Sequence, residues 1–198
     1  MDGHFYALLA RMRYIQRWAL MRNTEQENIQ EHSHMVAILA HALALLQNKH
    51  FGGHIDPGQA VLLALYHDAT EILTGDLPTP IKYYNPALRA SYKEVEETAA
   101  NRLLELLPEE LRGDYAPYLL HPDPELEAVV KAADKLDAYL KCVKERKAGN
   151  GEFQTAQVQI WDALQANPLP ALGYFIQHYL PSFELTLDQL NGSTHTMF

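Results

Sequence analysis

A short stretch of the sequence, LALYHDATEILTGDLPTP at residues 63–80, places side chains that can bind metal ions in an apolar helical run. His67 and Asp68 are adjacent in it. Two further ligand types stand in apolar helical surroundings elsewhere, His32 in QEHSHMVA and Asp134 in KAADKLDAY. Imidazole and carboxylate groups together suit a first-row divalent ion, and the lack of thiolates argues against a structural zinc site. The sequence therefore predicts that His32, His67, Asp68 and Asp134 bind one divalent cation between three helices.

The same stretch carries two more carboxylates, Glu71 and Asp76. Glu71 follows His67 by four residues and Asp68 by three, so it shares their face of the third helix. From that position a carboxylate can orient or deprotonate a metal-bound water without being a ligand itself. Asp76 begins the proline-containing loop and could act at the far side of the same site. These two residues favour a hydrolytic site over a site that only binds.

The elements that position these groups are predicted to be helices. Apolar residues recur with helical spacing, and no segment alternates as a half-buried strand does. Asp56 is an N-cap and Pro57 a first-turn proline for a third helix that reaches about Leu73, where Gly75 and the prolines after it end the helix. The predicted helices are 4–16, 28–48, 57–73, 86–107, 108–119, 123–147, 152–166, 170–180 and 184–190.

The 123–147 helix has the clearest apolar seam. Its members are Leu126, Val129, Ala133, Leu136, Leu140 and Val143. Asp134 borders this seam instead of lying on the solvent side, and Gly149-Asn150-Gly151 is a strong stop signal. The seam therefore places Asp134 next to the predicted core.

Composition is typical of a globular protein, with 47% apolar and 21% charged residues among 198. We expect one all-α domain over 1–198, a helical bundle whose last eight or so residues are loosely ordered. The net charge of −9 argues against a nucleic-acid polymer as partner. Cys142 is the single cysteine, so no intrachain disulfide can form and a cytoplasmic location is expected. No signal-peptide layout and no membrane-spanning apolar run are apparent.

The order His32, His67-Asp68, Asp134 resembles the H…HD…D signature of the HD-domain metal-dependent phosphohydrolases. Longer segments resemble the bacterial 5′-deoxynucleotidases of the YfbR type over nearly the whole chain. They are RWALMRN (17–23), EHS (31–33), YHDATEILTGDLPTPIKY (66–83) and AADKLDAYLKC (132–142). This resemblance implies an HD-type helical bundle that hydrolyses 2′-deoxyribonucleoside 5′-monophosphates with a divalent ion, often Co²⁺, with Mn²⁺ or a similar first-row ion as alternatives. It also implies a homodimer.

The resemblance assigns roles to individual residues. The four predicted ligands stay as ligands, with Asp68 and Asp134 also facing the substrate, and Glu71 becomes the catalytic carboxylate. Arg17 and Trp18 would contact the substrate, Arg17 through a planar fork suited to phosphate oxygens. The loop of Asp76, Leu77, Pro78 and Thr79 would also contact it, with Asp76 as a candidate proton donor to the leaving oxygen. Trp18 would exclude a ribose 2′-hydroxyl by packing on the sugar.

Two alternative functions stay open at this stage. One is an HD-type phosphohydrolase for a cyclic nucleotide or a nucleoside triphosphate, although no additional His and Asp motif for a second metal is visible. The other is a non-catalytic module that binds nucleotide and metal as a sensor. Asp137 departs from the family pattern, and the sequence allows it either to compete as a ligand or to face solvent.

Overall fold

Helices make up nearly all of the regular structure, so the predicted all-α fold is confirmed. The computed structural model describes residues 3–78 and 84–192. Within those ranges the only extended pairing is an isolated antiparallel bridge between Gln16 and Asn28, and no helix is long and apolar enough to cross a bilayer. The α-helices are α1 (His4–Leu9), α2 (Ile29–His50), α3 (Pro57–Tyr66), α4 (Glu71–Thr74), α5 (Pro86–Glu105), α6 (Glu109–Leu119), α7 (Pro124–Lys147), α8 (Gln154–Gln165), α9 (Pro170–His178) and α10 (Leu187–Leu190). Single 3₁₀ turns cover Ala10–Tyr14, Gly151–Phe153 and Leu180–Glu184.

Side-chain caps set the starts of the site-bearing helices. Asn28 accepts from the backbone of the first turn of α2, and Glu31 completes a capping box. Asp56 caps α3 with Pro57 in its first turn, and Asp123 caps α7. Because these caps satisfy backbone N–H groups that have no intrahelical partner, the helix starts are the best-predicted boundaries of the fold.

The predicted third helix is interrupted, and this expectation was wrong. α3 ends at Tyr66, residues 67–70 form a turn, and α4 begins at Glu71. The His67 imidazole donates from Nδ1 to the carbonyl of Ala64 over 2.7 Å, an acceptor that the next backbone N–H would use in a continuous helix. The backbone then tightens to bonds three residues back, from Ala69 to Tyr66 and from Glu71 to Asp68. Glu71 therefore does not share one uninterrupted helix face with His67.

Smaller boundary errors occur near both ends of the chain. The predicted 4–16 helix becomes α1 and a 3₁₀ turn that ends at Tyr14, because Ile15 is extended and its carbonyl accepts from the backbone of Ile29. The predicted 152–166 and 184–190 helices are each preceded by a 3₁₀ turn. The tail expected to be loosely ordered lies mostly outside the described residues.

The main core joins α2, α3, α7 and α9. In the predicted seam of α7, Leu126 is half-buried and the other five residues are buried, which confirms the seam. A second cluster packs α1 against α5 and α6, and its buried members are Phe5, Ala69, Leu103, Leu104 and Leu107. Ala64 belongs to the first cluster and Ala69 to the second, so the His67–Asp68 turn lies where the two apolar clusters meet.

Candidate active site

The His67–Asp68 turn presents one nitrogen and one oxygen to the same side. His67 Nδ1 is bonded to a backbone carbonyl, which can only accept, so Nδ1 carries the hydrogen and the neutral ring leaves the Nε2 lone pair available. Nε2 lies 3.2 Å from Asp68 Oδ2. The break in the helix thus lets two adjacent residues face one point.

His32 reaches the same point from α2 and is fully buried. Its Nδ1 lies 2.6 Å from Asp137 Oδ2, so this ring also directs Nε2 away from a hydrogen-bonded Nδ1. That Nε2 lies 3.5 Å from Asp68 Oδ2, and the His32 and His67 ring centroids are 5.2 Å apart. The carboxylate behind His32 fixes its ring orientation, as is usual for metal-binding histidines.

Asp134 approaches from α7, with Oδ1 3.2 Å from His32 Nε2. Single ligand atoms of His32, His67 and Asp68 all lie within 4.8 Å of one another, and Asp134 adjoins this group at His32 Nε2. Both Nε2 atoms are buried without a hydrogen-bond partner. Buried polar nitrogens without a partner are costly, so these atoms fit a cation that would take up their lone pairs.

The charges of this group depend on one another. Burial and the Arg17 cation would lower the pKa of His32, but the Asp134 and Asp137 carboxylates raise it to about 9. Burial would raise the pKa of Asp134, but His32 and His67 hold it down at about 2. Burial would lower the pKa of His67, but Asp68 raises it. Burial would raise the pKa of Asp68, but His67 lowers it. The group therefore favours positive charge at the two Nε2 atoms.

Arg17 lies in the loop between the first 3₁₀ turn and α2, beside the predicted ligands. These four residues, His32, His67, Asp68 and Asp134, are called the ligand group below. Its Nη1 bonds to Glu27 and lies 3.8 Å from Asp137 Oδ2, and its Nη2 lies 3.9 Å from Asp134 Oδ1. Burial would lower the pKa of Arg17, but Glu27 and the ligand carboxylates raise it. Glu27, His32 and Asp137 could themselves hold a cation, but the guanidinium already supplies positive charge there. Arg17, for which the family resemblance implies a substrate contact, thus lies near Asp134, one of the predicted ligands.

Trp18 adopts an unusual backbone conformation, with φ of 57°, a left-handed region that non-glycine residues seldom occupy. Its ring lies 5.4 Å from that of Phe153 and 5.9 Å from the Arg17 guanidinium carbon. The indole Nε1 is buried and has no hydrogen-bond partner. Strained backbone and unpaired polar atoms concentrate at functional sites.

Other predicted site residues are placed less directly. Glu71 is buried and its backbone N–H bonds to the carbonyl of Asp68, so it lies one turn beyond the ligand pair. Asp76, Leu77 and Pro78 are half-buried, and no hydrogen bond or ion pair within residues 3–78 and 84–192 joins them to the ligands. Thr79 lies outside the described residues.

Sequence reasoning missed three site features. Asp137 does not face solvent, because it is buried against His32, and its spacing of three residues from Asp134 was the available signal. Glu27, the partner of Arg17, and a buried pair of Lys141 and Glu145 were not predicted. Both depend on contacts between distant segments or on burial that local spacing does not reveal.

The chain was compared with known proteins. A family model described as 5′-deoxynucleotidase YfbR-like matches residues 4–183. A 5′-deoxynucleotidase of Vibrio cholerae is 52% identical over 192 residues, which cover 96% of this chain and 99% of that protein. One of Shewanella oneidensis is 50% identical over 191 residues and covers 96% and 98%.

Solved structures share the fold at low sequence identity. An HD-domain phosphohydrolase from Listeria innocua has a TM-score of 0.79 at 22% identity, covering 91% of this chain and 88% of its own. The cyanophage S-2L HD phosphohydrolase DatZ, bound to dA and one catalytic Zn²⁺ ion, has a TM-score of 0.61 at 22% identity and covers 91% and 96%. The family resemblance suggested by the sequence motifs is confirmed: this chain belongs to the YfbR-like 5′-deoxynucleotidase family.

Proposed function

We propose that the chain is a divalent-metal-dependent phosphohydrolase that converts 2′-deoxyribonucleoside 5′-monophosphates to deoxynucleosides and phosphate. One observation carries the chemistry: two buried, unpartnered imidazole nitrogens converge with the carboxylates of Asp68 and Asp134 beside the Arg17 guanidinium. The names of relatives about 50% identical over nearly the full length support the substrate class.

His32, His67, Asp68 and Asp134 would hold one ion. Such an ion would neutralise phosphate charge and lower the pKa of water, so that hydroxide would be available to attack phosphorus near neutral pH. The imidazole and carboxylate donors suit Co²⁺, Mn²⁺ or a similar first-row ion, and Zn²⁺ is the ion in DatZ. One ion is expected because the Arg17 guanidinium already supplies the positive charge next to Glu27 and Asp137, the carboxylates that could hold a second ion.

The protein's own side chains would bind and orient the reactants. Glu27 fixes one edge of the Arg17 guanidinium, which leaves Nη2 nearest the ligand group and available to a phosphate oxygen. Glu71, buried one turn beyond Asp68, would accept a proton from the attacking water. Asp76 would donate a proton to the leaving 5′-oxygen, and the segment from Leu77 to Thr79 would line the substrate.

Trp18 would give the preference for deoxyribose. Its left-handed backbone and its contact with Phe153 fix the indole beside Arg17, the residue proposed to bind phosphate. If Arg17 binds the 5′-phosphate, the sugar would lie beside the indole, and the ring would leave no room for a 2′-hydroxyl. This steric role predicts slow turnover of ribonucleotides.

Location and assembly are further parts of the proposal. A cytoplasmic location is supported by the lone cysteine, Cys142, which is free and buried. A homodimer is supported by exposed apolar side chains such as Val158, Leu187 and Leu190. Light scattering after size exclusion measures the assembly, and a monomeric mass would contradict it.

The test of function is product release from the EDTA-treated protein with Co²⁺, Mn²⁺, Zn²⁺ or Mg²⁺ added back. We expect phosphate from dAMP, much less from AMP, and no reaction of cyclic AMP or dATP. His67→Ala is expected to lose both bound ion and activity, while the exposed His41→Ala on α2 retains them. No product from any deoxynucleoside monophosphate with any ion would overturn the proposal.

A further inference from the structure

A buried ion pair lies in α7, away from the ligand atoms. Lys141 Nζ is 2.5 Å from Glu145 Oε1, and their side chains are 3% and 1% exposed. A buried pair of this kind often contributes little net stability, because both charges lose their hydration. Its polar contacts therefore point to a role beyond stability.

Nearly all remaining hydrogen bonds of the pair go to the loop that precedes α2. Glu145 accepts from the backbone of Thr24 and of Glu25 and, over 2.7 Å, from the Thr24 hydroxyl. Lys141 donates to the Glu25 carbonyl. Asn150 Nδ2 donates to Glu145 over 2.8 Å and to the Arg22 carbonyl over 2.7 Å. Residues 22–25 are thus tied to Lys141 and Glu145 of α7 and to Asn150, which follows that helix.

The hydrogen-bond network of Lys141, Glu145 and Asn150 also supports Trp18. Lys141 Nζ lies 5.5 Å from the centre of the Phe153 ring, and that ring packs on Trp18. Asn23, inside the tied segment, donates to the Trp18 carbonyl over 3.1 Å. A non-glycine residue keeps a left-handed backbone conformation only where its surroundings fix it. The contacts described here fix both the ring and the backbone of Trp18.

We propose that Lys141, Glu145 and Asn150 are positioning residues, which set the selectivity for deoxyribose by holding the Arg17–Trp18 loop without touching substrate or ion. The inference rests on the proposed 5′-deoxynucleotidase function. A displacement of about 1 Å in a substrate-positioning group can cost on the order of a hundredfold in rate. Loosening the loop therefore lowers turnover of dAMP more than that of AMP, since AMP gains room as the indole moves.

The test compares Glu145→Gln with Glu127→Gln. Glu127 forms an ion pair of the same spacing with Lys131 on α7, but that pair is exposed. For Glu145→Gln we expect kcat/KM for dAMP to fall roughly 10- to 100-fold. The ratio of kcat/KM for dAMP to that for AMP is expected to fall at least fivefold, with the Co²⁺ affinity unchanged. Glu145→Asp, which keeps the charge, is expected to restore part of the ratio.

A readout independent of activity uses Trp18 fluorescence. Trp161 is the other tryptophan, so Trp161→Phe leaves Trp18 as the single emitter. Acrylamide quenching of Trp18 is expected to rise in Glu145→Gln and to stay unchanged in Glu127→Gln. If Glu145→Gln does not fold, Asn150→Ala tests the same network and is expected to show the same changes.

The outcomes separate this inference from the proposed function. Unchanged selectivity together with unchanged quenching in a folded Glu145→Gln or Asn150→Ala would overturn the positioning role. An inactive native protein whose Trp18 quenching still responds to Glu145→Gln would support the loop anchor and refute the nucleotidase function instead.

Discussion

The hydrogen bond between Asp137 and His32 gives the sharpest prediction. Asp137 Oδ2 lies 2.6 Å from His32 Nδ1, and both side chains are buried. Asp137→Asn keeps the volume and an acceptor oxygen but removes the charge that makes His32 a stronger donor to a cation. We therefore expect Asp137→Asn to weaken metal binding more than it lowers the free energy of unfolding.

The magnitude follows from the contact. Loss of a group that orients a ligating histidine typically weakens metal affinity about 10- to 100-fold. Because asparagine still accepts the bond, we expect Asp137→Asn near the lower limit, about 1.4 kcal/mol, and Asp137→Ala near the upper limit, about 2.7 kcal/mol. The alanine variant costs more because it leaves His32 Nδ1 buried without an acceptor.

The assay is competition for Co²⁺ between the EDTA-treated protein and a chromophoric chelator at one fixed pH. Asp162→Asn, an exposed position on α8, is the matched control and is expected to bind as the native protein does. Equal affinities of Asp137→Asn, Asp137→Ala and native protein would refute the reasoning that Asp137 acts through His32.

Three other predictions concern catalysis, acid stability and the core. Glu71→Gln is expected to keep Co²⁺ and dAMP binding by calorimetry but to lose about 10²- to 10⁴-fold in kcat; full activity would remove its role as base. Burial would raise the pKa of Glu145, but Lys141, Asn150 and Thr24 lower it from 4.5 to about 2. Ionised Glu145 therefore stabilises the folded chain more than protonated Glu145 does, a difference that is complete above about pH 4.5 and is lost as the pH falls toward 2. Urea unfolding of Glu145→Gln is expected to depend less on pH in that window, and an unchanged pH dependence would contradict this. Leu136→Ala, at a fully buried position, is expected to lower the free energy of unfolding by about 2–5 kcal/mol, and a loss under 1 kcal/mol would place Leu136 outside the core.

The sequence predicted what depends on local chemistry. The cap at Asp56, the start of α2 near Asn28 and the seam around Leu136 all depend on residues within a few positions of one another. Such features leave a periodic or compositional signal. The all-α fold was accessible for that reason, and the family was accessible through its motifs.

The remaining features depend on contacts that spacing does not record. The imidazole of His67 donates a hydrogen bond to the Ala64 carbonyl at the point where the helix is interrupted, whereas apolar spacing predicts that the helix continues to Leu73. Glu145 is bonded to Thr24 across 121 residues, and nothing near either residue indicates the other. The sequence left open whether Asp137 competes as a ligand or faces solvent, and only the packing of α2 against it shows the contact with His32. A local bond from side chain to backbone decided the first case, and tertiary packing decided the other two.

The salt bridge between Arg17 and Glu27 has a consequence for how the catalytic charge is maintained. A guanidinium stays protonated at every pH that the folded chain survives, and no chelator removes it. In the proposed mechanism, part of the positive charge offered to a phosphate is therefore encoded in the gene, while the remainder would be taken up from the surrounding solution. A shortage of trace metals would then inactivate the protein reversibly, while Glu27 would keep Arg17 in place until an ion binds again.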